Sequence, residues 1–177
     1  MVSDGVQAPE TCAHVQQIRG FVSGTVSLVE VQASRITQPR RTKMPLVNIS
    51  LRKGATAAHR RAIADGIHLA MMDAMEIPTD DRFQLVHEFA AENMIQHRTF
   101  FGIERSEKSV FIQIVVNHRE VSQKMKVYEL IVDNLGKNPG LRKEDIFIGI
   151  VEVARENWWA FARHVDGDGM DARAATK

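Results

Sequence analysis

The 177-residue chain lacks the residues that would cross-link it or anchor it in lipid. Its single cysteine, Cys12, can form no internal disulfide, and the count makes no case for an oxidising compartment. No run approaches the roughly 18 apolar residues of a membrane span. The most apolar early stretch, 21–31, is broken by Ser, Thr and Glu30 and has no dense basic flank, which argues against a secretory leader. An excess of one charge is missing too. Twenty-three Lys and Arg against 22 Asp and Glu leave a formal net charge of +1, so no global field draws the chain to nucleic acid or to a membrane. There is no His, Cys and carboxylate set with metal-ligand spacing, no Ser-His-Asp pattern and no Gly-rich phosphate loop. The expectation is a cytoplasmic protein without metal or cofactor. What remains is ordinary for a globular domain: 44% hydrophobic and 25% charged residues, in a chain long enough for one sizeable core.

Three parts can be separated. Residues 1–44 carry Arg19, Arg35, Arg40, Arg41 and Lys43 against Asp4, Glu10 and Glu30, and show no sustained helical period. Val26 to Val31 makes one weak strand and Gln38 to Lys43 a loop. This segment reads either as a disordered extension or as a stretch upstream of the true start. Residues 45–161 form the folded domain, and 162–177 read as a flexible tail. The tail's Asp166-Gly167-Asp168-Gly169 lacks the later Glu and flanking helices of a calcium loop.

The middle part reads as two copies of one β-α-β unit. The first has a strand from Pro45 to Arg52, a break at Gly54, a cap at Thr56 and a helix to about Met75. Ile63, Ile67, Ala70, Met71 and Ala74 fall on one helical face. A second strand, Arg82 to Phe89, alternates apolar with polar residues. It places His87 on the side of Phe83, Leu85 and Phe89, as a buried, hydrogen-bonded histidine. The second copy has a strand from Ser109 to Val116, apolar enough to be buried on both faces. Its helix carries the stripe Val121, Met125, Tyr128, Val132 and Leu135, and its last strand is Ile146 to Val153. Leu46 and Val110 lie 64 positions apart, Phe83 and Ile146 lie 63 apart, so the copies keep register. The link 90–108, with Phe100 and Phe101, suits a hairpin over a neighbour. The expected fold is α/β (α+β): a four-stranded sheet from two β-α-β pseudo-repeats, with two helices on one face. The bare face is expected to be apolar and buried against sister subunits.

Met44-Pro45-Leu46-Val47 opens this domain as a protein would open. If Pro45 were terminal, its nitrogen would be a secondary amine able to take a proton from carbon. Inside a chain it is a tertiary amide with no basic lone pair. Burial and nearby positive charge both disfavour an ammonium, which leaves the free amine for general-base work. The plain alternative is a proline at the first position of a strand, where a missing N–H does no harm.

From Met44 to about Phe161 the chain resembles the tautomerase superfamily, in its 4-oxalocrotonate tautomerase and malonate semialdehyde decarboxylase-like branch. The likeness rests on Met44-Pro45-Leu46-Val47, on Pro78 followed by Asp81-Arg82-Phe83-Gln84-Leu85-Val86-His87-Glu88, on Val110 to Val116 leading to Arg119, and on Val151-Glu152 with Glu156-Asn157-Trp158. It implies a trimer of small β-α-β subunits and a cofactor-independent keto–enol tautomerase acting on a small 2-oxo or 3-oxo acid. Pro45 would be the catalytic proline, and Arg119, helped by Asn117 in binding substrate, would hold the carboxylate and stabilise an enolate. Asp81 would orient the amine or a water, and Trp158 and Phe161, the latter after a one-residue shift, would wall the pocket. The branch has a second arginine where this chain has Asn117, which weakens decarboxylation more than tautomerisation. A malonate semialdehyde-type decarboxylase or hydratase is the nearest alternative. A non-catalytic trimeric binding protein follows if residues 1–44 are retained. Blander roles also stand: a surface arginine for Arg119, a turn residue for Asp81, and core packing for Trp158 and Phe161.

Overall fold

The computed structural model describes residues 44–165, so the readings of residues 1–43 and of the Asp166–Gly169 run lie outside the described residues. The first copy contributes strand β1 (Leu46–Arg52), helix α1 (Ala57–Met75) and strand β2 (Gln84–Phe89). A 3-10 turn, Ala91–Asn93, then leads into a small hairpin of β3 (Thr99–Phe100) and β4 (Ile103–Glu104). The second copy repeats the plan with β5 (Val110–Val116), α2 (Val121–Lys137) and β6 (Ile146–Glu152). It too ends in a 3-10 turn, Arg155–Asn157, and a hairpin of β7 (Trp159–Ala160) and β8 (Arg163–His164). The final hairpin therefore runs past Phe161, where the sequence reading begins a tail.

The sheet order is β2-β1-β5-β6. Each copy pairs its own strands in parallel, and β1 meets β5 antiparallel, with Ile49 opposite Ile112. The starts of β1 and β2 thus share one end of the sheet with the ends of β5 and β6. That shared end assembles the site.

Alternation decides the core. Val47, Ile49 and Leu51 of β1 and Val110, Ile112, Ile114 and Val116 of β5 point to the helices and are buried. The apolar run in β5 is buried on one face only, since Gln113 is exposed on the other. Helix α1 starts at Thr56, whose hydroxyl accepts the His59 N–H, and buries Ile63, Ile67, Ala70, Met71 and Ala74 as its pattern predicts. Helix α2 is rotated from the expected stripe. Val127, Ile131 and Leu135 are buried, while Val121 and Met125 are exposed. Gly66 allows the two helices to approach closely: a Cβ there would stand 3.0 Å from Leu135 Cδ2. Asn134 Nδ2 also donates to the Gly66 carbonyl at 3.0 Å.

The bare face of the sheet is not uniformly apolar. Leu85, Phe111, Phe147 and Val151 flank a polar middle in which Asn48 Nδ2 donates to Gln113 Oε1 at 3.2 Å. His87 is exposed on this face, its Nε2 3.3 Å from Asn48 Oδ1, rather than buried as expected. The reason is that no helix covers this side of β2.

The internal repeat extends further than strands and helices. A shift of 64 positions takes the N-cap Thr56 to the N-cap Glu120, Asp81 to Asp145, and the turn Ala91–Asn93 to Arg155–Asn157. Both hairpins turn on two residues with positive φ, Phe101 and Gly102 in one, Phe161 and Ala162 in the other. Two positive φ values are what a tight hairpin of this hand requires.

Candidate active site

Pro45 is buried at the entry to β1, held by the first ladder bond of the sheet, Val47 N–H to the Phe83 carbonyl at 2.9 Å. Met44, also buried, adopts φ 35°, an uncommon conformation for a residue with a side chain. Its backbone N–H donates to the carboxylate of Asp81. That carboxyl is pushed above the usual aspartate value, chiefly by burial and then by Asp80. The Met44 N–H, His68 and Arg119 oppose the shift. Asp81 Oδ2 is buried with no hydrogen-bond partner among the described residues.

Arg119 comes from the other copy, at the turn between β5 and α2. It is a buried cation, 7% exposed, and its Nη1 donates to the carbonyls of Asn117 (3.0 Å) and His118 (2.8 Å). Burial lowers its pKa first and the neighbouring Arg155 next, while Glu152 and Asp81 act the other way. Glu152 receives the Arg119 backbone N–H at 2.8 Å and Lys124 Nζ at 3.2 Å, which hold its carboxyl below the usual range. His118 is exposed beyond the end of β5, its Nδ1 3.4 Å from Glu152 Oε2.

The other expected residues distribute as follows. Asn117 is buried, and its Nδ2 donates to the Val153 carbonyl at 3.2 Å, tying the end of β5 to the end of β6. Its Oδ1 is buried without a partner among the described residues. Trp158 is half-buried, its Nε1 sealed from solvent with no hydrogen-bond partner among the described residues. Phe161, at the tip of the last hairpin, is 82% exposed and stacks on Phe83, ring centroids 5.5 Å apart. Phe83 leads into β2 beside Pro45, so the structure does bring Phe161 to this end of the sheet.

Two residues escaped the sequence reading. His68, buried on α1, donates from Nε2 to the Thr79 carbonyl at 3.1 Å and interacts with Asp81. Its signal was a histidine one residue past Ile67 on the buried face of α1. Arg155 joins Arg119 from the 3-10 turn after β6. Its signal was the repeat of Ala90-Ala91-Glu92-Asn93 as Ala154-Arg155-Glu156-Asn157.

This end of the sheet therefore offers a carboxyl inclined to hold its proton and two cations, arranged about the residue that follows Met44. Such a set can bind a small anion and move a proton beside it. A cleft of about 350 Å³ lies at the opposite end, around Arg52, Lys53, Thr56, His59, Lys108 and Ser109. Those are counterparts, under the 64-position shift, of the residues near Pro45. There Asp145 is locked by Arg142 and by Ser106, its carboxyl held down to about 2. Among the described residues no group of three or more His, Cys, Asp or Glu could hold a metal ion, and no helix is long and apolar enough to cross a membrane.

The raised carboxyl has a consequence for stability. Folding holds the Asp81 proton more tightly than the unfolded chain does. Its contribution is full below the ordinary aspartate value of 3.8 and is lost as pH rises through the raised folded value. Asp81→Asn is therefore expected to gain stability relative to the parent as pH rises through that window. Urea midpoints measured for both proteins across it check this; a pH-independent difference contradicts it.

Comparison with known proteins bears on this site. Two family models, each described as a tautomerase enzyme, match residues 45–103 and 81–161, the first match beginning at Pro45. The probable tautomerase YrdN of Bacillus subtilis (strain 168) is 29% identical over 115 residues, spanning 65% of this chain and 89% of YrdN. A malonate semialdehyde decarboxylase, whose structure was interpreted in terms of decarboxylase and hydratase activities, is 30% identical. It superposes with a TM-score of 0.62 over 67% of this chain and 91% of its own. A fused 4-OT asymmetric trimer, 14% identical, superposes with a TM-score of 0.56 over 68% of this chain and 95% of its own, a likeness of fold.

Proposed function

The chain belongs to the tautomerase superfamily, and from that premise we propose that it is a cofactor-independent keto–enol tautomerase of a small 2-oxo or 3-oxo acid, with the nitrogen of Pro45 as general base and acid. The observation that carries this reading is the meeting of Asp81 and Arg119 at the residue preceding Pro45, with Asp81 accepting the N–H of Met44. The reading requires residues 1–44 to be absent from the active protein. Once Met44 is gone, the Asp81 carboxyl stands one residue from a secondary amine.

In the proposed reaction the amine takes a proton from the carbon next to the carbonyl. The electron pair moves onto the carbonyl oxygen, and the prolyl ammonium returns a proton to complete the enol. In the reverse direction the ammonium protonates carbon. Arg119 holds the carboxylate and stabilises charge on oxygen, since a guanidinium in a buried site acts with little water to screen it. Asp81 orients the amine, Asn117 fixes the strand ends, and Trp158 with Phe161 forms the apolar wall. The partly apolar bare sheet face suits a homotrimer. The fused 4-OT relatives with this fold are trimers.

Decarboxylation or hydration of a three-carbon oxo acid is the second reading, favoured by the 30% identity to malonate semialdehyde decarboxylase. Product analysis separates the two. A protein beginning at residue 45 is expected to interconvert enol and keto phenylpyruvate and to release little carbon dioxide from malonate semialdehyde. The opposite pattern favours the decarboxylase. Activity on neither substrate favours a trimeric binding protein.

A further inference from the structure

We propose that Arg155 is a substrate-binding residue: with Arg119 it forms a paired-guanidinium site that selects oxo acids carrying a free carboxylate. This rests on the tautomerase reading and extends it to a residue and a substrate charge.

The internal repeat is the first argument. Under the 64-position shift Arg119 corresponds to Ala55 and Arg155 to Ala91. The turn that contains Arg155 needs no arginine. Its bonds, Asn157 N–H to Ala154 (3.1 Å) and Trp158 N–H to Arg155 (3.1 Å), are matched in the first copy by Asn93 to Ala90 (2.9 Å) and Met94 to Ala91 (3.4 Å). The same backbone is thus built on alanine at one end of the sheet and on arginine at the other. Both differences fall at the end that holds Pro45.

The second argument is an orphaned donor. Arg155 is half-buried, and its Nη1 is sealed from solvent with no hydrogen-bond partner among the described residues. It follows Val153 by two residues, and the Val153 carbonyl accepts from Asn117, two residues before Arg119. A buried N–H without an acceptor is unfavourable, and more so for a charged group. Like charges brought together add to that cost, and Arg155 does depress the pKa of Arg119. The two carboxylates that act on Arg119 do not lift the penalty. Glu152 is engaged by Lys124 and the Arg119 backbone, and Asp81 is inclined to hold its proton. An anion beside Arg155 gives its Nη1 an acceptor and offsets the positive charge of both guanidiniums, and a carboxylate has the planar geometry that a guanidinium fork matches.

The test uses protein beginning at Pro45, with phenylpyruvate and its methyl ester as substrates. The parent is expected to prefer the acid. Arg155→Gln should lower kcat/KM for the acid by on the order of 10- to 100-fold, mainly through KM, while the ester changes little. Arg155→Lys should restore part of the acid preference. A parallel fall for acid and ester, or no fall for either, overturns the proposal. If the parent converts neither substrate, the tautomerase reading fails instead. Quenching of tryptophan fluorescence by phenylpyruvate, compared between parent and Arg155→Gln, then decides Arg155 separately. Weaker binding by the variant supports the carboxylate site, and equal binding rejects it.

Discussion

Pro45→Ala, made in a protein that begins at residue 45, is expected to lower kcat/KM for keto–enol conversion of phenylpyruvate by on the order of 10²- to 10⁴-fold, the usual weight of a positioned acid–base group. The substitution leaves an amine in place. What it removes is the ring that holds the lone pair in one direction and makes the amine secondary. The fold should survive, because the strand ladder is anchored one step further on, at Val47 to Phe83. An unchanged circular dichroism spectrum beside lost turnover would be the expected pair of results. Unchanged turnover contradicts the assignment of the base.

Arg119→Gln is expected to cost on the order of 10²- to 10³-fold in kcat/KM, with kcat falling as well as KM rising, since the guanidinium serves both the carboxylate and the developing charge on oxygen. This substitution also removes the donors to the Asn117 and His118 carbonyls. Arg119→Lys therefore makes a useful companion, because it keeps a charge without the planar fork and should fall between the two. Steady-state kinetics on the same substrate measure all three proteins. A variant that changes KM alone would confine Arg119 to binding.

The fold was largely legible because two periods repeat in order. A 2-residue alternation marks β2, and a 3.6-residue stripe marks α1. Where two stripes compete, the sequence is silent about which one faces inward. Helix α2 carries apolar residues at Val121 and Met125 and also at Val127 and Ile131, and packing against α1 through Gly66 selects the second set. His87 was misjudged for a related reason: its strand face is apolar in pattern but has no helix over it.

The site divides in the same way. Pro45, Asp81 and Arg119 were singled out by a resemblance, and the topology explains how residues 74 positions apart (Pro45 and Arg119) and 38 apart (Asp81 and Arg119) come to one end of the sheet. β1 and β2 begin where β5 and β6 end. Arg155 and His68 belong to no single motif, and each acquires meaning only from a neighbour brought in by another element. The repeated Ala-x-Glu-Asn at 90–93 and 154–157 was the one local sign that the end of β6 differs from the end of β2 by a cation. One copy has a half-buried acid inclined to hold its proton, Asp81, while the other locks its counterpart Asp145 with Arg142. That asymmetry is the physical difference between the two ends of the sheet.

Intact-mass and N-terminal peptide analysis of the protein purified from its own cells, run beside an assay of the same sample, tests the central claim most directly. The account predicts a chain that starts at Pro45 with an unblocked secondary amine and interconverts enol and keto acids. A sample in which Met44 remains joined to Pro45, and which still turns over at the full rate, contradicts it.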